Sequence, residues 1–239
     1  MSRPLKGFFF SFILCIDPDS PTVSQALTQI LDYLAAADWG SFHRYTQWIG
    51  WNLFLAYIPL VLSVGLFRWH SPPKINLLWG LGCLVFLAFL PNAPYVLTDI
   101  IHLLAGIREG ISGWFLVLIF LPVNILAILI GFQAYVISLI NLGYCLGKLG
   151  YRRWLPYVEL GLHGLAAIGV YLGRFIRFNS WDLITSPRNI FATTLNLLTR
   201  REPLVVILFG FFILTILYWV MKQVTLGLIL RWHYRKTVD

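Results

Sequence analysis

Residues 114–141 read WFLVLIFLPVNILAILIGFQAYVISLIN, a run without one acidic or basic side chain. At about 1.5 Å per residue, roughly 20 apolar residues in a helix cross the hydrocarbon core of a bilayer. This run is long enough to span, and no side of it is polar enough to face water. Four other stretches share its character: Trp48 to Phe67, Ile75 to Leu97, Leu155 to Gly173, and Pro203 to Met221 with an extension towards Leu230. The expected fold class is therefore all-α, a polytopic transmembrane helical bundle of about five spans.

Composition points the same way. Of 239 residues 59% are hydrophobic and 12% charged, against roughly 45–50% and 25% in soluble domains. Trp48, Trp51, Trp69, Trp114, Trp154 and Trp232 stand at or near the ends of the apolar runs, where amphipathic rings favour the headgroup layer. The net charge of +8 comes from basic residues scattered at span ends instead of one stripe. That distribution suits anchoring to anionic lipid and argues against a nucleic-acid partner. Cys15, Cys83 and Cys145 form no C-x-x-C pair and read as small apolar residues.

Two domains are expected: an N-terminal arm over 1–47 and a transmembrane domain over 48–239. In the arm, Gly7 to Ile16 is too short to span and reads as an interfacial anchor. Val23, Ala26, Leu27, Ile30, Leu31 and Leu34 recur at helical spacing, as on a surface amphipathic helix. A second such helix is expected where Ile190, Phe191, Leu195 and Leu198 alternate with Thr193, Thr194 and Asn196. Alternating spans put 68–74, 148–153 and the basic tail on one side. Arg44, Arg108 and the segment from Arg174 to Arg201 fall on the other. The excess of positive charge leans towards a cytoplasmic C-terminus.

Two polar segments break the apolar pattern, and the span count places both on one membrane face. The first is Pro91-Asn92-Ala93-Pro94-Tyr95-Val96-Leu97-Thr98-Asp99-Ile100-Ile101-His102-Leu103. Its prolines remove two backbone donors and free carbonyls near Leu87 and Leu90, which in a membrane must find neighbours or line a wet cavity. A continuing α-helix would set Tyr95, Asp99 and His102 on one face. The second segment closes the fourth span with Gly173-Arg174-Phe175-Ile176-Arg177-Phe178-Asn179-Ser180-Trp181-Asp182. Arg174 and Arg177, one turn apart, could present two guanidinium forks to a carboxylate or phosphate, and an Asp99 pair with either arginine is expected. The same residues would also serve as a structural polar knot, with Thr98 or Asp99 and Asn179 as caps.

Glu159 and His163 stand four apart on the fourth span. They do not join Asp99 and His102 in a metal site, because His163 and Arg174 are eleven residues, about 16 Å, apart along the helix. No metal is expected. Glu159, His163, Tyr171 and Arg174 would instead make a ladder of polar groups suited to a proton or ion path. The sequence lacks G-x-S-x-G, H-E-x-x-H, a phosphate-cradling glycine loop and a dinucleotide fingerprint. Gly169 and Gly173 form a G-x-x-x-G that permits close helix approach.

Three motifs in order carry a family resemblance: Trp51-Asn52-Leu53-Phe54-Leu55-Ala56 with Pro59; Phe89-Leu90-Pro91-Asn92-Ala93-Pro94-Tyr95 with Thr98-Asp99 and His102-Leu103; and Gly173-Arg174-Phe175 with Arg177 and Asn179-Ser180-Trp181-Asp182. With them the chain from about Trp51 onward resembles a bacterial multi-pass membrane-protein family, the domain of unknown function thirteen sixty-one. Phe178 departs from the tryptophan typical there. The resemblance implies a bacterial plasma-membrane location, supplies no activity or cofactor, and directs attention to Asn92, Tyr95, Asp99, His102, Arg174, Arg177, Asn179 and Asp182.

Three functions fit these residues. The first is binding or transport of a small polar or anionic solute beside a proline-broken helix; five spans are few for a self-contained transporter, so this reading brings a homo-oligomer with it. The second is an enzyme acting on a lipid-linked or phosphate-bearing substrate, with Asp99 and His102 as base or ligands. The third is a non-catalytic scaffold or assembly factor. The lipid bilayer is the partner common to all three.

Overall fold

A computed structural model of the chain describes Gln25, Thr28, 39–69, 75–101, Arg108 and 113–238. The anchor expected over 7–16, Cys15, His102 and most of the helix expected over 23–34 lie outside the described residues. Contacts divide the chain into Met1–Phe42 and His43–Asp239, and the elements below belong, from His43 onward, to the second unit. Among the described residues every regular element is helical.

Helix α1 covers Trp39–Phe67 and keeps Pro59 in its interior. Helix α2, Leu77–Phe89, starts where the Asn76 side chain accepts the Trp79 N–H at 2.8 Å, supplying one orphan donor of the first turn. The indole of Trp79 donates to the Leu66 carbonyl at 3.2 Å and ties α2 to the end of α1.

Pro91 and Pro94 end regular α winding. Ala93 N–H takes up the Leu90 carbonyl at 3.3 Å, and Tyr95 N–H reaches Pro91 at 3.1 Å. The chain proceeds as one short turn, α3, Asn92–Tyr95, and then a 3₁₀ turn, Val96–Asp99.

Helix α4, Leu121–Lys148, follows a helical turn at Gly113–Phe115 and a π turn at Leu116–Phe120. Pro122 cannot donate to Leu118, and the wider winding before it accommodates the ring. Gly150 closes α4 at φ 82°, a left-handed position that glycine occupies without a Cβ clash. Helix α5, Leu155–Tyr171, ends in a π turn, Leu172–Ile176. Helices α6, Asp182–Thr185, α7, Pro187–Thr199, and α8, Arg201–Val238, complete the chain.

Five helical stretches are long and apolar enough to cross a membrane: Thr46–Phe67, Leu77–Asp99, Leu116–Lys148, Arg152–Ile176 and Arg201–Lys236. Each contains most of an expected span, and the last runs well past Leu230. The bundle core gathers Ala56, Phe86, Leu90, Val96, Phe132, Tyr135, Leu139, Ala166 and Leu214. Outside it, Val61, Leu84, Leu126, Phe209 and Trp219 are exposed. Apolar surface on that scale around a helical bundle is stable only against hydrocarbon, so the chain is an integral membrane protein. Helix α7 exposes Phe191, Leu195 and Leu198 and buries Leu197, so the apolar side expected of it faces away from the bundle.

Candidate functional site

The two polar segments meet. Gly169 on α5 and Gly173 in the π turn that follows it provide the space. A Cβ on Gly169 would lie 2.5 Å from the Cβ of Pro91, and one on Gly173 would lie 3.1 Å from the Tyr95 ring. The broken end of α2 therefore rests directly on the backbone of α5. Asn92 Nδ2 donates to Ser180 Oγ at 2.9 Å, and the Phe89 and Trp181 rings meet edge to face at 5.6 Å.

Arg174 leaves the π turn towards this contact, half-buried. One terminal nitrogen donates to the Thr98 carbonyl at 2.7 Å and the other to the Tyr95 hydroxyl at 3.3 Å. Its guanidinium carbon stands 5.6 Å from the Tyr95 ring centre. Both partners are neutral, and Arg174 has no ion pair among the described residues.

Asp99 is placed differently from the expectation of one shared face. In a 3₁₀ turn residues three apart eclipse, so Asp99 follows Val96 while Thr98 follows Tyr95. Tyr95 and Thr98 turn to Arg174; Val96 packs towards Gly131 and Leu53. Asp99, buried, accepts from Asn52 Nδ2 at 2.9 Å and 3.0 Å, one distance to each oxygen. The expected Asp99 pair with Arg174 or Arg177 is not among the ion pairs of the described residues.

The other expected residues divide. Arg177 is exposed, on left-handed backbone with φ 64°. The chain reverses there, with the Phe178 N–H bonded to the Leu172 carbonyl at 3.1 Å, so Arg177 does not stand beside Arg174 as a second fork. Asn179 is exposed too, and its backbone N–H is accepted by Asp182 Oδ2 at 2.7 Å. Asp182 thus closes a local turn, and its other oxygen faces the Thr185 hydroxyl at 3.5 Å.

Glu159 and His163 form a separate cluster with α4 and α8. Glu159 accepts from Lys222 at 2.5 Å and from the Tyr218 hydroxyl at 2.6 Å. His163 Nδ1 meets the Tyr135 hydroxyl at 2.7 Å, and its ring lies 4.6 Å from that of Tyr218. From Gly164 to Val170 no side chain of α5 is polar, and Ala166 and Ala167 there are buried. The expected ladder is interrupted for about 10 Å by that stretch. No three His, Cys, Asp or Glu side chains gather among the described residues.

Asn52, Thr98 and Ser180 join the residues the sequence singles out; the sequence signal for Asn52 is one amide inside an apolar run. Asn124 carries the same signal. It is buried, its Nδ2 donates to the Phe120 carbonyl at 2.8 Å, and its Oδ1 has no hydrogen-bond partner among the described residues. Two turns before Gly131, it lies on the face of α4 that packs on Val96 and Leu53.

A family model described as a protein of unknown function, DUF1361, matches residues 51–216, which include both polar segments and Asn52. No curated protein and no solved structure matches the chain.

Proposed function

The chain belongs to the DUF1361 family of proteins of unknown function, and from that premise we propose that it binds a small anionic solute at the Arg174 end of the bundle. The observation that carries this reading is the company Arg174 keeps. A half-buried guanidinium at the end of a membrane span is costly unless its charge is used, and here a carbonyl and a phenol orient it without neutralising it. Two of its five N–H donors are occupied. The rest suit a carboxylate or phosphate.

Binding is favoured over passage through the bundle by the apolar stretch from Gly164 to Val170. A homo-oligomer in the bacterial plasma membrane is the setting we propose for it. One observation favours a second reading, in which the polar contacts only hold helices together: both oxygens of Asp99 are occupied by Asn52.

Thermal unfolding of the purified chain in neutral detergent, with phosphate, pyrophosphate or citrate added at constant ionic strength, separates the two. A ligand at 100 times its dissociation constant stabilises by about 2.7 kcal/mol. The expected result is a saturable rise with at least one anion that Arg174→Gln abolishes. No anion-dependent rise, or the same rise in Arg174→Gln, leaves the structural reading in possession.

A further inference from the structure

A second cationic site stands at the opposite end of the bundle. Arg68 follows the last residue of the first span, and Lys148 is the last residue of the third, so alternation puts both at the membrane boundary away from Asp99 and Arg174. Arg68 Nε donates to Asn141 Oδ1 at 2.8 Å, Asn141 Nδ2 to Ser63 Oγ at 2.9 Å, and Ser63 Oγ to the Leu60 carbonyl at 2.7 Å. Asn141 and Ser63 are buried. This chain of bonds holds the guanidinium by its inner nitrogen and leaves its two terminal nitrogens unused among the described contacts.

The guanidinium lies 4.3 Å from the Tyr144 ring centre, and the Lys148 ammonium lies 5.6 Å from the same centre. The two cations are thus within about 10 Å of each other, sharing one ring quadrupole. Neither has a carboxylate partner among the described residues. Like charges within that distance repel, more strongly at a membrane boundary than in bulk water, and an anion bound to either would lower the repulsion. Their level selects the anion. Trp69, Tyr151 and Trp154 are exposed at the same ends of the spans, as in an aromatic belt at headgroup depth.

We propose that Arg68 and Lys148, gathered on Tyr144, bind the phosphate of an anionic phospholipid headgroup, with Asn141 as the positioning residue for Arg68. The site differs from the Arg174 site in residues, membrane face and ligand.

Native mass spectrometry of the full chain in neutral detergent, titrated with phosphatidylglycerol or phosphatidylcholine, tests it. Phosphatidylglycerol should bind about tenfold more tightly, because phosphatidylcholine brings a choline cation beside the same phosphate and so repels Arg68 and Lys148. Lys148→Gln and Arg68→Gln should each remove most of that ratio, and Asn141→Leu should lower the ratio while total lipid bound stays the same. Lys148 is exposed and bonds nothing buried, so its variant keeps the test valid if Arg68→Gln unfolds. Arg152→Gln and Arg153→Gln, equal charge losses on the same face, should change the ratio less than about twofold. Equal effects from those controls, no effect of Lys148→Gln, or displacement of the lipid by millimolar inorganic phosphate would overturn the proposal, the last by making free phosphate the ligand.

Discussion

Asn52 Nδ2 lies 2.9 Å from one oxygen of Asp99 and 3.0 Å from the other, so a single amide from α1 spans the carboxylate at the broken end of α2. The bond joins residues 47 apart in sequence, and at Asp99 the surroundings exclude water almost completely.

Replacing Asn52 by Ala takes a donor from a buried carboxylate, a loss of about 1–3 kcal/mol. Asn52→Asp should cost more, because two carboxylates would then face each other. In Asn52→Asp, adding Asp99→Asn restores an amide opposite a carboxylate and should recover most of the stability. Thermal unfolding of the four proteins in one detergent checks this; equal stability of Asn52→Ala and the parent would show that the bond contributes nothing.

Gly169→Ala should destabilise by about 1–3 kcal/mol, since the new methyl meets a proline ring that cannot rotate away. Gly161→Ala and Gly164→Ala, where a Cβ meets nothing within 4 Å, should be neutral or stabilise by up to about 1 kcal/mol. The contrast between glycines of one helix, measured by melting temperature, tests whether α2 rests on α5.

Removing Lys222 as Lys222→Met strands Glu159 between α5 and α8 and should cost about 1.5–3 kcal/mol, while Tyr218→Phe should cost about 1 kcal/mol. A double-mutant cycle over Glu159→Gln and Lys222→Met measures the coupling directly. A coupling near zero would mean that the pair does not join the two helices.

Arg177→Gly should stabilise, by up to about 1 kcal/mol, by relieving left-handed backbone at φ 64°. Anion binding at Arg174 should be unchanged, since Arg177 is exposed beyond the chain reversal. A weaker anion response in this variant, measured with the same probes, would return Arg177 to the site.

Much of the arrangement is legible in the sequence. Each span in the structure contains most of the corresponding expected run, because hydrocarbon thickness and backbone hydrogen bonding leave an apolar stretch of that length one stable form. Alternation puts the ends of the second and fourth spans on one side, but the packing of Pro91–Asp99 on Gly173–Asp182 comes from the close approach of Pro91 to Gly169. The winding of Val96–Asp99 was not legible. Two prolines announce a break, but whether the chain resumes as α or 3₁₀ depends on which carbonyls neighbours satisfy, and that choice turned Asp99 away from Arg174.

By itself, then, the sequence determined the helical class and the spans, both of which depend on local composition against a solvent of known thickness. Tertiary structure alone decided the partners: Asn52 for Asp99, Thr98 and Tyr95 for Arg174, Tyr218 and Lys222 for Glu159, Asn141 for Arg68. Each of these bonds joins residues at least 59 apart, or 47 for Asn52 and Asp99. Such pairings depend on the rotation of each helix about its axis, which is set by packing as close as Pro91 on Gly169 and cannot be read along a single apolar run.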